Sequence, residues 1–209
     1  MGSGKISTGT GKVSTGTPTR LRSFDPVRLA DLEYRAWTGY YLRKWPQVLR
    51  ASFGLVRVGF GMDWFRTVYG AWLVLRANQL WAPYPDNHPK RARACMRRFY
   101  GLVRLTYGEP SNPAKAAELE LDWWRVHREL QHEAGRSPDE LAESLVRLYT
   151  YLYGDPEEEL RPAAVHRAKA MELYDQWVKE GCQHDSELLP LEHAALVRAH
   201  AALLAAVHH

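Results

Sequence analysis

The chain has 209 residues, 45% of them hydrophobic and 25% charged, the composition of an ordinary globular domain large enough to bury a core. Uncharged runs such as Thr67–Leu75 reach about half of what spans a bilayer, and no apolar N-terminal segment resembles a signal peptide. An integral membrane protein is therefore not expected, and Cys95 and Cys182, far apart and without metal-type spacing, read as free thiols of a cytoplasmic protein. The net charge of +4 hides an asymmetry: residues 1–110 carry 18 Lys and Arg against 6 Asp and Glu, whereas residues 111–209 carry 10 against 18.

Residues 1–22 read as a flexible tail. GKISTGT is followed at once by GKVSTGT, a tandem heptapeptide of Gly, Ser, Thr and Lys with almost nothing to bury. Neither Lys5 nor Lys12 has the upstream glycine and following hydroxyl residue of a phosphate loop, so that motif is rejected.

From residue 23 the chain reads as one all-α domain, a bundle of seven to eight helices, basic to about residue 110 and acidic after it. Asp25-Pro26, Asn112-Pro113, Ser137-Pro138 and Asp155-Pro156 each place a capping side chain before a proline suited to the first helical position, with His88-Pro89 a weaker version. Ser137 with Glu140, and Asp155 with Glu158, have capping-box spacing. Gly108, Gly135, Gly154 and Gly181 fall where helices should stop. The predicted helices run near 26–45, 47–58, 62–81, 89–107, 113–134, 138–153, 162–180 and 187–207, with Pro46 interrupting the first long segment. No stretch shows sustained alternation of the kind strands need.

In the helix near 62–81, Phe65, Val68, Tyr69, Trp72 and Leu75 form one apolar arc, expected to face the core. Arg76 falls within that arc, and Trp72, Arg76, Asn78 and Gln79 are the expected wall of a ligand pocket. In the helix near 89–107, Cys95, Phe99 and Leu102 mark an apolar face with Ala92, Met96 and Val103 beside them. Lys90, Arg93, Arg97 and Arg104 line the opposite side, a row suited to phosphate or carboxylate.

Glu129 and His132 have the Glu-x-x-His spacing of di-iron bundles. Phase disposes of that reading: with Leu119, Trp123, Val126 and Leu130 as the core stripe, His132 points the opposite way, and no second Glu-x-x-His exists. His127 and Glu120 lie on the flank of this helix, His166 on the apolar face of the next but one, and His193 and His200 on that of the last. Those four histidines with Glu120 could form an iron, zinc or haem site.

Two functions follow as expectations. The first is a binding or adaptor protein whose basic, aromatic-rich first half engages an anionic protein, nucleic acid or phosphorylated ligand, its tail ordering on contact. The alternative is a metal- or haem-dependent oxidoreductase with its site among the inward histidines. The expected all-α class leaves both open.

Overall fold

The computed structural model describes residues 20–133 and 137–209, so the tandem repeat and Gly135 lie outside the described residues. Eight α-helices follow a short 3-10 turn at Arg20–Arg22: α1 (Pro26–Tyr41), α2 (Trp45–Phe60), α3 (Trp64–Trp81), α4 (Pro89–Tyr107), α5 (Pro113–His132), α6 (Pro138–Tyr153), α7 (Glu157–Lys179) and α8 (Leu188–Val207). The expected all-α fold is what the described residues show, without a strand among them. Each helix packs on its neighbours in sequence, and α8 returns to pack on α1, so the eight form a closed circuit.

Local chemistry sets most of the ends. Asp25 accepts from the backbone N–H of Val27 and Arg28, Asn112 from Ala114 and Lys115, and Ser137 forms a complete capping box with Glu140. Gly108 and Gly154 end α4 and α6 at φ of 81° and 75°, the left-handed region that glycine enters without a Cβ penalty.

Four boundaries depart from the sequence reading. Leu21 is buried and Arg22 donates to Asp155 at 2.9 Å, so residues 20–22 belong to the helical domain and not to the tail. The first helix stops at Tyr41, and Pro46 sits in the first turn of α2, where its missing N–H costs nothing. Helix α7 begins at Glu157 and runs through Pro162, which leaves the Glu158 carbonyl without its usual i→i−4 donor one turn into the helix. The expected capping box at Asp155 does not form, because its carboxylate is taken by Arg22 and by His209 at 3.1 Å.

The α3 expectation is inverted. Thr67, Gly70, Ala71, Leu73, Ala77 and Leu80 face inward, while Trp64, Phe65, Val68, Tyr69 and Trp72 face outward. The small residues decide this, because they let α3 approach α2 and α4 closely. A Cβ on Gly70 would stand 3.3 Å from Val56 and 3.4 Å from the Phe99 ring. In α5 the inward face is also rotated from the expected stripe: Ala116, Ala117, Leu121, Trp124 and Val126 are buried, and Trp123 is half-buried. In α4 the buried set is Ala92, Cys95, Met96, Phe99, Tyr100 and Val103.

Candidate interaction surface

Helix α4 is strongly two-faced. Opposite its buried side, Lys90, Arg91, Arg93, Arg97, Arg98 and Arg104 are all exposed, and none makes an ion pair among the described residues. The acidic half does not neutralise this row. Several of its carboxylates meet cations of their own half, Lys115 with Glu118 at 3.1 Å, Arg147 with Asp122 at 2.8 Å, Lys169 with Glu172 at 2.9 Å and Arg161 with Glu143, and Asp155 is paired with Arg22, outside the row. Gly101, within the row, has open space where a Cβ would stand. Upstream, Lys44 and Arg50 line an open cleft between α1 and α2 together with Arg35, whose own partner is Asp31 at 3.0 Å. Across residues 43–104 there are twelve Lys and Arg and two Asp and Glu, of which Asp63 is already bonded to Arg66.

The neighbouring helix α3 presents an outward face of its own. At 100° per residue, Trp64, Phe65, Val68, Tyr69, Trp72 and Leu75 share an arc of about 140°. Phe65 is 84% exposed, and Tyr69 stacks on Trp72 with ring centroids 5.9 Å apart. Trp64 packs on Phe53 of α2 at 4.9 Å, and Leu105, at the end of α4, is 73% exposed. Helices α3 and α4 are consecutive and pack on each other, so the aromatic face and the cation row are carried by neighbouring helices.

The expected ligand-pocket residues belong to this exterior as well. Trp72, Asn78 and Gln79 are exposed, Arg76 is half-buried, and Arg76 donates to Gln79 at 3.2 Å. Arg76 therefore rides outward with the arc, and is not a buried cation.

The histidines do not gather. His127 bonds Asp175 at 2.9 Å, His200 bonds Glu33 at 2.8 Å, His193 faces Asp31 at 3.9 Å, and His166 is half-buried on α7. Glu120 instead accepts from Tyr100 at 2.6 Å and from Trp124 at 3.1 Å. Glu129 pairs with Arg125 at 2.5 Å, and His132 stacks on Tyr84 at 4.2 Å. Among the described residues no group of three His, Cys, Asp or Glu side chains is placed to hold a metal ion, which corrects the expectation of a shared site at His127, His166, His193, His200 and Glu120. The physical reason is that His127, His193 and His200 each face a carboxylate of their own, Asp175 of α7, Asp31 of α1 and Glu33 of α1, and do not converge.

Sequence reasoning missed the polar interior. Arg167 of α7 donates to Glu33 of α1 at 2.6 Å and to Tyr149 of α6 at 3.1 Å, and its guanidinium lies 5.5 Å from the Trp123 ring. Burial alone would raise the Glu33 pKa, but the charge of Arg167 and the bond from His200 outweigh it and bring the carboxyl down to about 2. Glu192 of α8 is in the opposite situation. It is 1% exposed with neither oxygen hydrogen-bonded, and burial with nearby Glu33 pushes its pKa up to about 8. Glu33 and Arg167 sit at helical positions indistinguishable from solvated ones until the partner helix is known. Glu33 is the buried centre of this cluster, and its bonds to Arg167 and His200 clasp α1 to α7 and α8.

Among the described residues one helix, α8, is long and apolar enough to cross a membrane by length and composition, with a mean hydropathy of 1.2. It packs along α7 and α1, burying Glu192 and His200 with Ala195 and Leu196, as a core helix does. In comparisons with known proteins, no family model, curated protein or solved structure matches this chain.

Proposed function

We propose that the protein is a helical binding module that engages an anionic partner through the exterior of α4 and the adjoining aromatic face of α3. The observation that carries this reading is the six-cation row of α4, exposed and without an ion pair among the described residues. Six like charges on one 19-residue helix repel one another, and an anionic partner relieves that repulsion while gaining bidentate contacts from arginine. The neighbouring aromatics add contact area that loses little side-chain freedom on binding.

The test is equilibrium binding of the full chain to three anionic probes: a single-stranded oligonucleotide, polyglutamate, and vesicles containing phosphatidylglycerol. Each is measured at about 50 and 300 mM salt, where screening lengths differ more than twofold. Binding to at least one probe should weaken steeply with salt and be lost in the Arg93→Glu/Arg97→Glu/Arg104→Glu variant. Full affinity in that variant, or no salt-dependent binding to any of the three, overturns the proposal.

A further inference from the structure

We infer that the anionic partner is a lipid surface, and that the outward face of α3 seats in the headgroup region of a bilayer while the α4 cations meet the lipid phosphates. The inference rests on the proposed function and names the partner within it.

Helix α3 is apolar on two sides. A helix that is apolar all round is normally buried or in a membrane. Here one side is buried by α2 and α4 through Gly70, Ala71, Leu73 and Ala77, and the other carries Trp64, Phe65, Val68, Tyr69 and Trp72 into solvent. A contiguous exposed face of this kind, flanked by polar residues, marks a surface that something covers.

Charge narrows what covers it. The face itself bears no carboxylate, and the surrounding residues 43–104 hold twelve cations against two acids. A symmetric contact with a second copy would bring two such basic fields together, which like-charge repulsion opposes. An apolar centre flanked by Lys and Arg is what an interfacial helix offers to anionic lipid, with Trp and Tyr at headgroup depth. Each cation brought to an anionic surface strengthens partition by roughly fivefold.

Shape and side-chain type separate lipid from nucleic acid. Single strands lie in a basic groove with bases stacked on aromatic rings. The outer side of a helix is a convex ridge, and on α3 it carries Phe65, 84% exposed, with aliphatic Val68 between Trp64 and Trp72 along the helix; Leu105 of α4 is exposed as well. A ridge of that composition enters a soft apolar boundary readily and offers a strand no channel. Partition would be peripheral, because α8, the only described helix of spanning length and hydropathy, is committed to the interior of the circuit.

The experiment is flotation of the full chain with vesicles of phosphatidylcholine alone or with 30% phosphatidylglycerol (a composition chosen at roughly the anionic fraction that sustains a surface potential), alongside anisotropy of a labelled single-stranded oligonucleotide. The expected result is flotation with anionic vesicles only. It should fall at least tenfold both in Phe65→Ser/Trp72→Ser and in the Arg93, Arg97 and Arg104 charge reversal, with helicity unchanged in each. Flotation that depends on the arginines but is unaffected by Phe65→Ser/Trp72→Ser overturns the seating of α3 and leaves the anionic-partner reading standing. Salt-sensitive oligonucleotide binding without flotation does the same and assigns the surface to nucleic acid. Reversible self-association abolished by Phe65→Ser assigns the face to a second copy and also overturns the inference. Absence of binding to both probes at low salt removes the lipid inference, and the polyglutamate measurement then decides the parent proposal.

Discussion

Arg167 of α7 donates to Glu33 of α1 at 2.6 Å, across 134 residues of sequence, and the same carboxylate accepts from His200 of α8 at 2.8 Å. The two bonds fasten the first helix of the circuit to its last two. A buried pair of this kind adds little net stability over an apolar replacement, yet removing one member strands the other charge away from water.

Glu33→Ala should therefore destabilise the fold by about 3–5 kcal/mol, since Arg167 keeps its charge but loses its carboxylate. The double variant Glu33→Leu/Arg167→Met should recover most of that loss. Urea unfolding of the two variants and the parent measures both numbers. Additive losses in the double variant would show that the pair is not coupled.

Acid acts through the same carboxylate. The folded-state pKa of Glu33 is depressed to about 2 from 4.5, so its stabilising contribution is fully present above pH 4.5 and is lost as pH falls toward 2. By linkage that contribution is about 3 kcal/mol. The stability gap between the parent and Glu33→Gln, followed by chemical denaturation from pH 6 to pH 2.5, should narrow over that window. A gap constant with pH would refute the assignment.

Glu192 predicts the opposite slope. Its folded-state pKa is raised to about 8, so between pH 4.5 and 8 the folded chain holds a proton that the unfolded chain has released, and stability falls as pH rises. Glu192→Gln, which cannot ionise, should be more stable than the parent at pH 8 by roughly 3–5 kcal/mol and similar to it below pH 4.5. Equal stability at pH 8 would mean that the carboxyl finds a partner when charged.

The exterior should be silent in folding. Phe65→Ser and Trp72→Ser remove side chains more than half exposed, so each should shift stability by less than about 0.5 kcal/mol. Leu73→Ala, one residue along on the buried side of the same helix, should cost about 2–5 kcal/mol. Thermal denaturation of the three variants gives the comparison, and a large loss in Phe65→Ser would place that side chain in the core after all.

Salt separates the cation row from the fold. The Arg93, Arg97 and Arg104 reversal removes no ion pair among the described residues, so its unfolding midpoint should stay close to the parent's while its salt-dependent binding disappears. Circular dichroism together with vesicle flotation reads both.

What the sequence determined was local. Asp25, Asn112 and Ser137 before their prolines, and Gly108 and Gly154 after the helices they close, mark ends because a cap needs only the atoms within one turn. The two-faced pattern of α4 was legible for the same reason: bulky apolar residues and cations fall on opposite sides, and only one side can be buried. In α3 both sides are apolar, so the pattern could not say which turns inward. The small residues Gly70, Ala71 and Ala77 settled it by letting α2 and α4 come close, which depends on what those helices bring to the contact. The polar interior was equally out of reach, because an isolated glutamate such as Glu33 or Glu192 reads as solvated until a distant helix either supplies an arginine or withholds one. Backbone capping is short-range chemistry and is written in neighbouring residues; the choice of face and the pairing of charge are decided by helices up to 167 residues apart, and only the closed circuit brings them together.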